Sequence, residues 1–192
     1  MIDFALEKYP ATFPIEGSDI SVRPLEVEDE AAFSEFFLAV PEEDRIFVKH
    51  RVTDGVLFHD WCSKIDYEAN LPLLARDGDR IVADGTLHQR QGGWKRHIGL
   101  VSILILPEYR KRGVVDLLIG EIIKVAAHAG LARLEAEFNG ERSRSIETFG
   151  KVGFRELVRL PNYVQDIHGK EHDYILMGMN LVPDYDLLGA GD

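Results

Sequence analysis

Ile103-Leu104-Ile105-Leu106-Pro107-Glu108-Tyr109-Arg110-Lys111-Arg112-Gly113-Val114-Val115 joins an apolar run, a basic turn and the start of an amphipathic pattern. The run from His97 to Leu106 is nearly continuously apolar, which predicts a central strand covered on both faces, and Pro107 stops it. From Val114 the apolar residues Leu118, Ile122, Val125 and Ala129 recur at spacings of three and four, so residues 114–129 read as a helix with Gly130 at its end. The first turn of a helix exposes N–H groups that lack intrahelical partners and carry partial positive charge. An anion placed there gains several hydrogen bonds. Gly113 has no Cβ, so the backbone can approach such an anion closely. Arg110, Lys111 and Arg112 add positive charge. Three consecutive basic residues are commonly a solvated turn; between a buried strand and a capped helix they predict a phosphate-binding loop.

Outward from this segment the pattern alternates between two periods. Ile20–Arg23 reads as a short strand ended by Pro24. Asp29–Val40 places Ala32, Phe33, Phe36, Phe37 and Val40 on one helical stripe, and a second helix is expected from about Asp54 to Ile65. Leu71–Arg76 and Arg80–Arg90 read as strands joined at Asp77-Gly78-Asp79, a hairpin signal. Beyond the central helix, Leu131–Phe138 is a strand, Ser143–Val152 a helix, and Phe154–Val164 and Asp173–Leu181 a second hairpin. Residues 1–18 read as an irregular N-terminal extension draped on a domain spanning 19–183, with 184–192 a frayed tail. The order predicts one α/β (α+β) domain with a mixed, mostly antiparallel sheet flanked by helices.

Composition narrows the partners. The 192 residues contain 22 Lys plus Arg against 33 Asp plus Glu, a formal net charge of −11. Such a surface repels a phosphate backbone and attracts amines, so no nucleic-acid partner is expected. Solubility alone also explains an acidic surface. Cys62 is the only cysteine, so no intrachain disulfide forms and a cytoplasmic location is expected. It reads as a small core residue. The first residues lack the basic start of a signal peptide, and no apolar run reaches the roughly 18 residues of a membrane helix. A homodimer is left open, and no metal-ligand spacing occurs.

The strand–Arg110-x-x-Gly113-x-Val115–helix segment resembles the pyrophosphate loop of GNAT N-acyltransferases, Arg/Gln-x-x-Gly-x-Gly/Ala. Ile20–Leu25 followed by Glu28-Asp29 is similar to that family's opening strand and helix. Ser145–Phe154 is similar to its late helix, and Asp173–Met177 to its last strand. Four segments in the right order cover most of the chain. The resemblance implies transfer of an acetyl group from acetyl-CoA to a primary amine of a small molecule or protein. It assigns the donor to Ile103, Leu104, Ile105, Arg110, Lys111, Arg112, Gly113, Val114, Val115, Arg142, Ser145 and Phe149, with backbone groups of Ile103 and Ile105 pairing the pantetheine arm.

The chain departs from the family at three places. Val115 stands where the loop ends in a small residue. Phe149 stands where a tyrosine commonly acts as general acid. Arg142 stands where an asparagine is frequent, although Asn139 is close by. The base that removes the amine proton is a Glu on the family's central strand, about where Gly99 lies. His97, two residues earlier, would share that face, and Glu135 and Glu137 lie on the adjacent strand. Tyr163 is a candidate acid. A surface histidine, rim carboxylates and a packed tyrosine are the structural alternatives. Phe149 and Gly99 together also admit a second reading, a non-catalytic acyl-CoA-binding regulatory module. A nucleotide-binding protein is disfavoured because neither Gly-x-x-x-x-Gly-Lys-Ser/Thr nor Gly-x-Gly-x-x-Gly occurs.

Overall fold

A computed structural model of the protein describes residues 5–45, 55–166 and 168–182. The expected tail, 184–192, lies outside them, as does the expected start of the second helix at Asp54. In chain order the elements are β1 (Ala11–Ile15), β2 (Ser18–Pro24), α1 (Glu30–Ala39), α2 (Glu42–Arg45), α3 (Gly55–Ser63), β3 (Asn70–Asp77), β4 (Arg80–His88), β5 (Ile98–Ile105), α4 (Val114–His128), β6 (Arg133–Asn139), α5 (Ser143–Lys151), β7 (Arg155–Gln165) and β8 (Glu171–Asn180). They form one eight-stranded sheet in the order β1-β2-β3-β4-β5-β6-β8-β7. Every neighbouring pair is antiparallel except β5–β6.

Two apolar layers cover the two faces. A Cβ built on Gly85 of β4 would lie 3.0 Å from the Cδ1 atoms of Ile103 and Ile122. Gly85 and Ile103 therefore face α4, whose Leu118, Ile119, Ile122, Val125 and Ala126 are buried against the sheet. The opposite face carries a smaller core in which Phe33, Phe36 and Phe37 of α1 pack with Phe58 and Cys62 of α3 on Leu74, Ile81 and Leu106. Cys62 is fully buried, and desolvation pushes its thiol up to about 11. It is therefore a protonated core side chain at neutral pH and not a nucleophile.

Two features differ from the sequence expectation. The N-terminal extension is not irregular over residues 11–15: Ala11–Ile15 pairs with Ser18–Val22 as an added edge strand. Pro14 is compatible with that position, because an edge strand does not need every N–H. Lys8 and Tyr9 then reach the buried carboxylate of Glu121 on α4, at 2.6 and 3.0 Å, tying the extension to the domain. The second difference is β5. It is central, as its apolar run predicted, but it is not covered on both faces: Ser102 is exposed and Ile103, Leu104 and Ile105 are half-buried. The cause lies in its pairing with β6.

Candidate functional site

β5 and β6 are paired only from Ile98–Arg133 to Leu100–Glu135. Beyond Leu100 they diverge, while β5 stays paired with β4 as far as Ile105–Ala83. The N–H of Leu106 donates to the Val82 carbonyl at 3.0 Å. Antiparallel pairs alternate in the direction of their backbone groups. Leu104 and Ser102 therefore share the β4-facing direction of Leu106, and Ile103 and Ile105 turn their N–H and C=O groups toward the split. The sheet opens as a V, with one arm a strand edge whose backbone donors and acceptors are not taken up by β6.

The wide end of the V meets the basic loop. A short 3₁₀ turn, Pro107–Tyr109, leads into it. Gly113 is the residue before α4, with φ of 84°. Lys111 also has positive φ, 64°. These left-handed residues fold the chain back so that the α4 N-terminus faces the mouth. Nothing lies within 4 Å of a Cβ built on Gly113, so its vicinity is open. Val114 is buried under the sheet and Val115 packs at its border. The Arg112 guanidinium lies 4.9 Å from the Tyr109 ring centre, and the Tyr109 hydroxyl donates to Asp77 at 2.9 Å.

Two guanidiniums converge at this mouth. Arg110 from the loop and Arg142, the residue preceding α5, both donate to the carboxylate of Asp44 in α2. They come from separate elements, 66 and 98 residues from Asp44. Asp44 shows that they focus on one anionic group. Ser145 lies in the first turn of α5, which has no side-chain cap. Asn139, at the end of β6, is 5% exposed and its Oδ1 has no hydrogen-bond partner. A buried acceptor of this kind can take a hydrogen bond from a ligand or a water.

Phe149 is not at the surface of the split. It is 3% exposed and packed edge-on against Phe138 and Phe154, each at 5.0 Å between ring centres. Its ring closes the core under α5.

On the face opposite α4 the V is bordered by polar side chains. Leu134 and Ala136 of β6 are buried in the α4-side core, so Glu135 and Glu137 face the open side. The Tyr174 hydroxyl donates to Glu137 at 3.1 Å, and the Tyr163 and Tyr174 rings are 5.8 Å apart. Of the catalytic candidates, Glu137 and Tyr163 are thus brought together through Tyr174, with Glu135 two residues before Glu137 on β6. His97 lies apart, exposed on the turn before β5 at the closed end of the V. Gly99 faces the other way: a Cβ there would sit 2.7 Å from Leu87 Cδ1 and 2.9 Å from Leu131 Cδ1, inside the core. A base at Gly99 would point under α4, and the open face belongs to Leu100 and Ser102. A shift of one residue exchanges the faces of a strand.

The sequence reading also missed the side chains of β3 and β4 on this open face. Asn70, Asp84, Thr86 and His88 lie there, opposite the direction of Gly85. They gave no signal beyond ordinary strand alternation. Asp84 is buried with both carboxylate oxygens 3.2 Å from the Thr86 hydroxyl. Desolvation pushes its carboxyl up to about 7, against the opposing effect of Thr86. Unfolded, it titrates near 3.9. Between these values the folded state holds more protons, so stability falls as pH rises from about 4 to about 7 and then levels off. Asp84→Asn is expected to remove that slope and to be the more stable protein near pH 8 by roughly 2–4 kcal/mol. Urea unfolding near pH 5 and near pH 8 measures it; equal slopes in the two proteins would exclude this origin.

A mixed sheet split at its parallel β5–β6 pair, with a basic helix start at the open end, defines an α/β protein whose strand edge and loop can receive a phosphate-bearing ligand. The chain belongs to the acetyltransferase (GNAT) family, whose model matches residues 38–154. Over 81 residues it is 32% identical to YwnH of Bacillus subtilis (strain 168), provisionally named a phosphinothricin acetyltransferase. That match covers 42% of this chain, which spans about half, 49%, of that relative's length. The structure of a GNAT-family acetyltransferase from Streptococcus pneumoniae superimposes with a TM-score of 0.70 at 21% identity, covering 84% of this chain and 99% of that one. The structure of yncA from Salmonella typhimurium, solved with its cofactor acetyl-CoA, superimposes with a TM-score of 0.71 at 16% identity, covering 86% and 98%. These structures establish the fold.

Acetyl-CoA is the acyl donor of this family, and the residues present fit it. Arg110, Arg142 and the N–H groups after Gly113 suit phosphates. Ile103 and Ile105 present free strand-edge groups, and Asn139 has an orphaned acceptor at the mouth.

Proposed function

We propose that the protein is an acetyl-CoA-dependent N-acetyltransferase acting on a primary amine of a small molecule or a protein. The observation that carries this reading is the convergence of Arg110 and Arg142 on one carboxylate at the open end of the β5–β6 split. Two guanidiniums held at one point, beside a helix start with a left-handed glycine, form an electrostatic clamp for a diphosphate. Lys111 and Arg112 add to its field. Ile103, Leu104 and Ile105 guide the arm toward the closed end of the V, with Val114 and Val115 setting the base of α4. Ser145 lies in the opening turn of α5, and Phe149 supports that helix from beneath. The activated acetyl group is the chemistry the donor supplies.

The acceptor approaches from the open face. Glu135 and Glu137 favour a cationic amine, and the total charge of −11 extends that preference to longer range. Holding amine and acetyl group side by side supplies much of the acceleration. Residues 19–183 form the acyltransferase domain in this reading, with residues 1–18 as an N-terminal extension. The single cysteine fits a cytoplasmic setting. Among the described residues, no helix is long and apolar enough to cross a membrane and no metal-ligand cluster occurs.

Release of free thiol from acetyl-CoA, followed over a panel of small amines and lysine-containing peptides, tests the reading. Turnover with any of them supports it. Tight acetyl-CoA binding without turnover on any amine supports instead a non-catalytic acyl-CoA-binding module, the reading favoured by Phe149 standing where an acid is expected.

The clamp has its own test. Arg110→Ala is expected to weaken acetyl-CoA binding by roughly 1–3 kcal/mol, the loss of one charge-assisted hydrogen bond. Asp44→Asn is expected to act in the opposite sense and tighten binding several-fold, because it removes the carboxylate that already occupies both guanidiniums. Calorimetry reads both. Unchanged affinity in Arg110→Ala removes the loop from the binding site, and weaker binding in Asp44→Asn makes Asp44 a support of the arginines and not their competitor.

A further inference from the structure

Asn70, His88 and Ser102 form a connected row across β3, β4 and β5 on the open face. Asn70 is the cross-strand partner of His88, and Ser102 is the partner of Thr86, two residues before His88. Asn70 Oδ1 lies 2.7 Å from His88 Nδ1, and Ser102 Oγ lies 2.9 Å from His88 Nε2. An amide oxygen only accepts, so Nδ1 carries the ring proton. Nε2 then presents its lone pair, and the Ser102 hydroxyl donates to it. The direction of the row is fixed: hydroxyl to imidazole to amide. Ser102 is exposed, and it sits on β5, one of the two strands that line the split, beside the unpaired edge of Ile103.

We propose that Ser102 and His88 are the proton acceptor of the acetyl transfer, with Ser102 Oγ touching the amine, His88 taking the proton behind it, and Asn70 a positioning residue. The proposal rests on the acetyltransferase reading. A donor arm laid along β5 from the basic loop runs from Ile105 back toward Val101. Strand rise is about 3.3 Å per residue, so Ser102 lies about 10 Å inside the mouth, where the arm's reactive end belongs. Its hydroxyl points to the open face from which the acceptor arrives. Glu135 and Glu137 border the same face on β6.

The proton and electron balance is complete with these groups. The acceptor first loses its ammonium proton to solvent; as the neutral amine nitrogen forms its bond to the acetyl carbonyl carbon, it gives one further proton to Ser102 Oγ, and Ser102's own proton passes to His88 Nε2. The C–S bond breaks with its electron pair on sulfur. The resulting thiolate takes up the imidazolium proton through solvent, which restores His88. Amide and free thiol are the products, and no other reactant is needed. A positioned base is typically worth about 10²–10⁴-fold in rate, and the hydroxyl–imidazole–orienter geometry is the one by which enzymes move protons from weak acids.

His88→Gln keeps a side chain able to hydrogen-bond Ser102 but cannot store the proton. It is expected to lower kcat at least about 100-fold, with the calorimetric affinity for acetyl-CoA and the melting temperature near those of the parent. His88→Gly with added imidazole is expected to regain turnover in proportion to the imidazole concentration. Ser102→Ala is expected to lower kcat about tenfold or more, since water then bridges the amine to His88. A kcat within about threefold of the parent in His88→Gln overturns the relay and leaves the row a structural ladder. Acetyl-Ser102, detected by mass spectrometry after incubation with acetyl-CoA alone, overturns it in favour of a covalent route. The absence of thiol release by the parent protein with every amine instead removes the acetyltransferase reading on which the relay rests.

Discussion

Gly113→Glu is expected to abolish acetyl-CoA binding, a loss of at least about 100-fold in affinity, while the far-ultraviolet circular dichroism spectrum stays near native. The position meets open space, with no heavy atom within 4 Å of a built Cβ, so a side chain there does not collide with the folded protein. Its φ of 84° makes any L side chain costly, by about 1–2 kcal/mol. Most folded domains tolerate that loss. Binding is affected far more. The open space is bounded by the α4 N-terminus and Arg110, where an anion is favoured. A tethered carboxylate there competes for the same N–H groups and repels a diphosphate through a site of reduced dielectric. Calorimetric titration with acetyl-CoA measures the loss. A mutant that still binds with parental affinity places the phosphates elsewhere.

Gly99→Glu is expected to unfold most of the protein, whereas Leu100→Gln, one residue along, is expected to cost about 1 kcal/mol or less. The glycine faces a wall of three leucines, with Leu134 Cδ2 3.0 Å from a built Cβ in addition to Leu87 and Leu131. Extra methylenes in a packed core cost about 1–3 kcal/mol. A carboxylate without a partner adds several more, or takes up a proton to avoid them. The sum approaches the whole stability of an ordinary domain, about 5–15 kcal/mol. Leu100 is half-buried on the open face and has solvent for a polar end. Urea unfolding of the two variants decides between the faces. A stable Gly99→Glu, or a Leu100→Gln that unfolds, would reverse the assignment of β5's sides and with it the orientation of Ser102.

The order of elements, the central helix and the basic loop were legible in the chain because each is a local matter. Apolar spacing of three and four commits Val114–His128 to a helix whichever fold surrounds it, and a proline after an apolar run ends a strand. Gly113 marks a close backbone approach at the start of that helix by lacking a Cβ; its left-handed φ came from the structure. The observed strands and helices end within two residues of most of the predicted boundaries for the same reason. The edge strand β1 escaped notice because Thr12-Phe13-Pro14-Ile15 combines strand formers with a proline, and only its pairing with β2 decides between them.

The chemistry of the site depends on long-range geometry. Which face of β5 looks toward an acceptor depends on a register parity that four apolar residues in a row do not reveal. Once Gly99 is packed against Leu87, Leu131 and Leu134, every even residue of β5 follows to the open side. The V exists because β6 leaves β5 after Leu100, a divergence with no local sequence signature. Asp44, Arg110 and Arg142 lie far apart in the chain, as do Asn70, His88 and Ser102, and separations of that kind carry no periodicity. Short-range sterics and the partition of apolar side chains are enough to place the elements and the anion-binding loop along the chain. Tertiary structure alone decided the split, the clamp and the Asn70–His88–Ser102 row, because strand pairing and core packing bring distant residues to the same few ångströms.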